Sequence, residues 1–319
     1  MKNIAVLTSG GDAPGMNMAI RAVVRSGFHH GFNVYGVYNG FKGLVEDDIK
    51  KMTRETVSRI LNRGGTILGS ARYEAFKQVE VQQRAVENLK RRNIDGLIVI
   101  GGDGSFRGAR DLHTLGIQCI CLPGTIDNDI ASTDYTIGFF TALNTAVESI
   151  DKLRDTSFSH QRCSVVEVMG RHCGDLALYA GISVGSEFIV TPETGYNKQQ
   201  TIDAVKTSYQ RNKRHTVVVV TEHMVDINDL AKSIQEEVGY ETRTTVLGHV
   251  QRGGTPSAFD RVLAAEMAEY GVELLSRGIG GRVVGLRGMD YKDYGIDEAL
   301  TMKKTISRKR YGIVGRLVH

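Results

Sequence analysis

A mostly parallel, doubly wound α/β fold in two lobes is what this sequence predicts. Short β-branched runs alternate with amphipathic stretches along the whole chain, glycine-rich turns follow several of those runs, and 319 residues suffice for two substantial cores. The runs Ile4 to Thr8, Val34 to Tyr38, Gly96 to Ile100, Gln118 to Leu122, Ser164 to Val168, Thr216 to Thr221 and Val283 to Leu286 are the expected strands. Between two of them, Leu143, Val147, Ile150 and Leu153 recur at helical spacing. The expected architecture is therefore two Rossmann-like three-layer α/β/α lobes with a cleft between them. Since no Pro- or Ser-rich linker separates the halves, the chain is expected to cross between lobes more than once. Ligands of such sheets bind beyond the carboxyl ends of the strands, so functional residues are sought in the turns that follow them.

Composition narrows the class. Hydrophobic residues at 41% and charged residues at 24% are those of a soluble globular protein. No apolar run approaches the roughly 20 residues of a membrane span, and the first residues meet glycines and Asp12 too early for a signal peptide. A cytoplasmic protein without a membrane partner is expected. The net charge of +4, with no basic tail, gives no reason to expect nucleic acid as a partner. Cys119, Cys121, Cys163 and Cys173 lack the C-x-x-C pairing of zinc or redox sites and read as buried, reduced thiols.

Three turns carry candidate chemistry. The first runs from Thr8 to Asn17, with Pro14 placed where a helix begins. Backbone N–H groups at such a helix start favour phosphate, although Met16-Asn17 stands where a Walker motif needs Lys-Ser/Thr, and a tight structural turn is the competing reading. In the second, Gly101-Gly102-Asp103-Gly104-Ser105, small residues admit a triphosphate and Asp103 is placed to serve magnesium. A β–α turn with an Asp cap competes here. The third is Pro123-Gly124-Thr125-Ile126-Asp127-Asn128-Asp129. Its two carboxylates repel one another unless a metal or hydrogen bonds hold the anions, and a kinase needs a carboxylate to take the proton of the attacking hydroxyl. Asp127 is the candidate base and Asp129 its electrostatic support; an Asx-rich loop capping the next helix is the alternative.

Arg72, Arg162, Arg171, Arg243 and Arg252, with His249 and Glu222, lie near expected strand ends or in glycine-containing turns. One arginine alone is ordinarily a solvated surface group, but the repeated placement suits a clamp on a phosphorylated sugar. Arg21 and Arg25 stand one helical turn apart, like charges that repel unless an anion lies between them, and Arg54, Arg154, Arg211, Lys213, Arg214 and His215 are further basic residues that could join them in a folded oligomer. From the residues alone this last cluster reads as a solvated face.

The stretches LTSGGDAPGMN from Leu7, RGGTILGSAR from Arg63, IGGDGS from Ile100, PGTIDND from Pro123, EVMGRHCGD from Glu167 and LGHVQRGG from Leu247 occur in order, and over essentially its whole length the chain resembles the bacterial ATP-dependent 6-phosphofructokinases. The resemblance implies an ATP lobe of residues 1–138 plus 252–305 and a fructose 6-phosphate lobe of 139–251 plus 306–319. It implies ATP at Gly11, Arg72, Tyr73, Gly102, Asp103, Gly104 and Ser105, with Mg2+ at Asp103. Fructose 6-phosphate is implied at Thr125, Ile126, Asp127, Arg162, Met169, Gly170, Arg171, Glu222, Arg243, His249, Val250, Gln251 and Arg252, with Thr125, Asp127, Asp129 and Arg171 taking part in catalysis. A homotetramer is implied as well, in which Arg162 and Arg243 reach a neighbour's substrate pocket. Arg21, Arg25, Arg54, Arg59, Arg154, Gly185, Glu187, Arg211, Lys213, Arg214 and His215 are implied to form an effector site where ADP activates and phosphoenolpyruvate inhibits. Two departures stand out: Arg59 replaces the family's usual Asp, a two-unit charge change, and Lys77 and Gln82 are expected near the nucleotide in place of arginines. Pyrophosphate-dependent relatives tend to carry Asp for Gly104 and Lys for Gly124, so ATP is the expected donor. A non-catalytic nucleotide sensor is disfavoured by the presence of Asp103 and Asp127.

Overall fold

The computed structural model describes residues 1–304 and 308–317. In chain order the elements are β1 (Asn3–Thr8), α1 (Met16–His29), β2 (Asn33–Val37), α2 (Gly40–Val45), β3 (Ile49–Lys51), α3 (Val79–Arg91), β4 (Ile94–Gly101), α4 (Asp103–Thr114), β5 (Gln118–Pro123) and α5 (Phe139–His160). There follow β6 (Cys163–Val168), α6 (Asp175–Val184), β7 (Phe188–Val190), α7 (Lys198–Gln210), β8 (Thr216–Thr221), α8 (Ile227–Val238), β9 (Thr242–Val246), α9 (Ala258–Ser276), β10 (Arg282–Arg287), β11 (Asp290–Gly295), α10 (Ile296–Thr301) and α11 (Arg308–Leu317).

Two compact units result. The first comprises Met1–Ile126, Ile130–Thr141 and Arg252–Lys304; the second holds Asp127–Asp129, Ala142–Gln251 and α11. Asp127–Asp129, expected with the first lobe, group with the second because Asn128 bonds there to Asp175 and Cys173. Phe139–Thr141 group instead with the first, where Asp260 holds Thr141. The expected crossing at 305–306 lies outside the described residues.

The first unit's sheet has the order β11-β10-β5-β4-β1-β2-β3, parallel except for β3 and β11, which pair antiparallel at its two edges. Strand alternation sorts its side chains by face. Ala5, Leu7, Leu97, Val99, Cys119 and Cys121 share one cluster with residues of α2, α3, α4 and α10. On the opposite face, Ile4 lies close to Gly27 of α1, and Ile98, Ile120 and Leu122 lie close to Gly271 of α9. Helices thus cover both faces, which is why these strands read as continuous apolar runs.

In the second unit the order is β7-β8-β6-β9, all parallel. Cys163, Val165, Val190, Val218 and Val220 pack with Ile202 and Val205 of α7 and Leu230 and Ile234 of α8. All four cysteines are buried thiols. The seven strands expected from sequence are the interior strands of the two sheets, and β3, β7, β9 and β11, which were not expected, are the four edges. Edge strands are short or polar, since one side meets no sheet partner.

Asp260 ties the starts of two helices together in the first unit. It is fully buried, and its carboxylate accepts the N–H of Gly138 at 2.9 Å and of Thr141 at 2.7 Å, together with the hydroxyls of Thr141 at 2.5 Å and Ser257 at 3.1 Å. Burial pushes its pKa up, and those four donors oppose the shift. Replacing Asp260 by Ala would strand buried donors, and a stability loss of about 2–4 kcal/mol is expected. A urea-unfolding midpoint equal to that of the parent protein would contradict this.

Candidate active site

Strands β1, β4 and β5 end side by side, and their parallel register brings the three glycine-containing turns to one edge of the first sheet. The first and third turns are each bonded to the end of β4, since Ser9 donates its N–H to Ile100 O at 3.0 Å and Gly124 donates to Gly101 O at 3.0 Å. The RGGTILGSAR stretch is stitched to the first turn by polar side chains. Buried Asn17 donates to the carbonyls of Arg63 at 3.0 Å and Gly64 at 3.2 Å, and its oxygen accepts the N–H of Ile67 at 2.7 Å. The Thr8 hydroxyl lies 2.8 Å from both Gly69 O and Thr66 Oγ1, and Ser70 donates to Gly10 O.

The Arg252 guanidinium lies over Gly11, where a Cβ would come within 2.5 Å of Nη1, and Nη1 donates to Asp12 O at 3.3 Å. A side chain at Gly11 would displace that guanidinium. Gly102 caps α4, its carbonyl accepting from Ser105 at 2.9 Å and Phe106 at 3.1 Å, and Asp103 is the helix's first residue. A Cβ at Gly102 or Gly104 would meet no atom within 4 Å, so the space beside Asp103 is open at a helix N-terminus, where anions are favoured. Magnesium commonly takes one or two carboxylates plus substrate phosphate oxygens, and this setting fits that donor set. Arg72 is exposed, and Tyr73 is partly buried against the core. Gln82 is buried, and its amide donates to Phe76 O at 2.9 Å and to Asp111 at 3.1 Å. Lys77 is exposed and pairs with Glu74.

The third turn is not a helix cap, for α5 starts only at Phe139. Thr125 and the fully buried Ile126 belong to the first unit; Asp127 is buried and Asp129 half-buried in the second. The second sheet supplies the other polar residues at its carboxyl edge. Val168 pairs with Thr221, so Glu222 stands beside the Met169-Gly170-Arg171 turn, where its Oε1 accepts the N–H of Gly170 at 3.3 Å and of Arg171 at 3.0 Å. Glu222 therefore shapes the turn that presents the exposed Arg171. Nearby, burial raises the pKa of Glu167, and Glu222 adds to the shift. His249 and Val250 are exposed, whereas Gln251 is fully buried, accepting from Met169 N at 3.3 Å and donating to Gly248 O at 3.0 Å.

Arg162 and Arg243 lie elsewhere. Arg162 precedes β6, and Arg243 pairs with Ser164 at that strand's start. At about 3.3 Å per residue, they are roughly 20 Å along the sheet from Met169. Both engage Glu241, Arg162 Nε at 2.9 Å from Oε2 and Arg243 Nη2 at 2.6 Å from Oε1. Arg162 accounts for most of the lowering of the Glu241 pKa. Of the five arginines that the sequence groups, Arg162 and Arg243 thus lie at the opposite end of the second sheet from Arg171, while Arg72 and Arg252 belong to the first unit.

The effector candidates also divide between units. Arg21, Arg25, Arg54 and Arg59 belong to the first; Arg154, Gly185, Glu187, Arg211, Lys213, Arg214 and His215 belong to the second. Arg21 and Arg25 line a groove between α1 and α9, opposite Glu266 and Glu269. The Nε atoms of Arg21, Arg25 and Arg154 are buried with no hydrogen-bond partner among the described residues. Arg54 lies over Phe28, and Arg59 is exposed. In the second unit Glu187, with its side chain 1% exposed, pairs with Lys213 and accepts the N–H of Val217 at 2.6 Å. Gly185 ends α6, Arg211 is the C-cap of α7, and Arg214 and His215 pack on Phe158.

Glycine turns and carboxylates at the carboxyl edges of mostly parallel sheets mark an α/β protein of the phosphate-handling kind. The phosphofructokinase family model matches residues 3–275, and the chain belongs to that family. The ATP-dependent 6-phosphofructokinase of Aliivibrio fischeri (strain MJ11) is 57% identical over 300 residues, covering 94% of each chain. That of Vibrio cholerae is 55% identical over 318 residues, covering 99% of each. The phosphofructokinase structure from Saccharomyces cerevisiae matches with a TM-score of 0.88 at 35% identity; the match covers this whole chain and 47% of the yeast one. A pyrophosphate-dependent phosphofructokinase from Marinobacter aquaeolei shares the fold, with a TM-score of 0.88 at 21% identity over all of this chain and 92% of the other.

The His215 ring offers a direct measurement. Burial holds its pKa below the usual 6.5, Lys213 and Arg154 lower it further, and Glu187 opposes them. The folded state then binds a proton less readily than the unfolded chain. Stability contributed by His215 is whole above pH 6.5 and is lost as the pH falls from there through its folded value. An NMR titration should place His215 below 6.5, and lower still in Glu187→Gln. A value that rises in that variant would contradict the assignment.

Proposed function

We propose that the chain transfers the γ-phosphoryl group of ATP to the 1-hydroxyl of D-fructose 6-phosphate, giving D-fructose 1,6-bisphosphate and ADP. The supporting observation is the 57% and 55% identity, over nearly the whole chain, to enzymes of that name. In this reading Gly11, Arg72, Tyr73 and Gly102 to Ser105 hold the nucleotide. Asp127 takes the hydroxyl proton as the oxygen attacks the γ-phosphorus in line and the bond to the β-phosphate oxygen breaks, while Arg171 faces the developing charge. Thr125 and Asp129 support the base. Magnesium, with Asp103 as its protein ligand, neutralises phosphate charge when bound.

Gly104 and Gly124 favour ATP over pyrophosphate. A Cβ at Gly104 would point into the open space assigned to the nucleotide, and one at Gly124 would stand 3.0 Å from Ile100 and 3.1 Å from Met16. The sugar phosphate is held by Arg252, His249 and the Met169–Arg171 turn, with Arg162 and Arg243 supplied by another copy of the chain. Their place at the far end of the β6 strand supports a pocket shared between subunits of a homotetramer. The basic effector candidates are proposed to meet between subunits as a site for ADP and phosphoenolpyruvate, with Arg59 altering its charge. Glycolysis in the cytoplasm is the corresponding setting; among the described residues no helix is long and apolar enough to cross a membrane.

An aldolase-coupled assay tests the reading: turnover is expected with ATP and fructose 6-phosphate and not with pyrophosphate. In the same assay Asp127→Ser should lower kcat by at least about 10² with little change in substrate binding. Near-normal turnover would remove Asp127 as the base. Arg162→Ala should raise the KM for fructose 6-phosphate and spare that for ATP; equal losses for both ligands would refute the clamp.

A further inference from the structure

We infer that Asp175 and Tyr311 are positioning residues for the transfer proposed above, on which reading the inference rests: Asp175 pins the Asp127–Asp129 turn to the loop carrying Arg171, and Tyr311 braces that loop from α11.

Asn128, next to the proposed base, is 1% exposed and has a φ of 52°, a left-handed conformation uncommon outside glycine. Its backbone direction sets where Asp127 points. Asp175 and Cys173 hold it. Asn128 Nδ2 donates to Asp175 Oδ2 at 2.8 Å, and the Cys173 thiol donates to the Asn128 carbonyl at 3.6 Å. Cys173 also donates its N–H to Gly170 O at 2.9 Å, so the residues gripping Asn128 and those presenting Arg171 belong to one short loop.

That loop is secured from behind. Gly174 donates its N–H to both oxygens of Glu193, at 2.8 and 3.1 Å. The Tyr311 hydroxyl lies 3.1 Å from Glu193 Oε2 and 2.9 Å from Thr191 Oγ1, which orients the carboxylate. Hydrogen bonds therefore lead from α11 through Glu193 to Gly174, and the Gly174–Asp175 peptide bond carries the link on to Asp175 and its hydrogen bond with Asn128. Base and arginine are fixed relative to each other by that link, and misplacing a reacting group by about 1 Å can cost about 10² in rate.

The test uses the full-length parent, Asn128→Gly, Asp175→Ala, their double variant and Tyr311→Phe, with saturating fructose 6-phosphate and MgATP. Glycine accepts the left-handed backbone, so Asn128→Gly removes the side-chain bond while the turn can still form. Both single variants should lose about tenfold or more in kcat, with the KM for ATP held within about twofold. The double variant should be no worse than the poorer single one, because both remove the same bond. Tyr311→Phe should lose about threefold in kcat at an unchanged urea midpoint. Losses below twofold in the two single variants, losses that multiply in the double variant, or equal effects on kcat and the KM for ATP would overturn the inference. An unchanged kcat in Tyr311→Phe removes Tyr311. Should Asp175→Ala fail to fold, Asn128→Gly and Tyr311→Phe decide. A parent that does not phosphorylate fructose 6-phosphate overturns the proposed function and this inference together, whereas an active parent with unaffected variants removes this inference alone.

Discussion

A carboxylate taken out of water has to find hydrogen-bond donors, and in this protein many of those donors are backbone amides of the turns that matter. Asp260 gathers Gly138 and Thr141, Glu222 gathers Gly170 and Arg171, Glu193 gathers Gly174, and Glu187 gathers Val217. Each satisfies its own charge, and Glu222 and Glu193 at the same time fix loops that neither strand nor helix would hold. Irregular turns can thereby present Asp127 and Arg171 in defined places.

Parallel pairing adds the second constraint. Strands running the same way end at one edge, so each sheet offers one row of turns and keeps its other edge remote. In the first unit that row holds the glycine turns with Asp103; in the second it holds Met169–Arg171 and Glu222. Arg162 and Arg243 are committed to the far end of β6 and β9, where both pair with Glu241. No rotamer change covers that distance, so these arginines do not reach the Met169–Arg171 turn of their own chain. The basic effector candidates follow a similar logic. Arg21, Arg25 and Arg154 each bury an Nε without a protein acceptor among the described residues, which is the electrostatic demand an anionic effector would meet.

Much of this was legible in the sequence, and the part that was not has a common cause. The seven interior strands announced themselves because helices bury both of their faces, and the turns with Asp103 and Asp127 stood out because glycines and carboxylates cluster there without an obvious packing use. Long motifs in fixed order then singled out the family. The edge strands β3, β7, β9 and β11 escaped, being short or polar. What only the tertiary structure decided is which distant residues meet: Gly11 beneath Arg252, Asn17 holding Arg63 to Ile67, Gln82 turned inward, Arg162 and Arg243 sharing Glu241, and Asp175 gripping Asn128. Local patterning records whether a side chain is buried and how its backbone turns. The partner of a lone buried polar group is set by crossovers and register, which bring together residues as far apart as 11 and 252, and no local pattern records those.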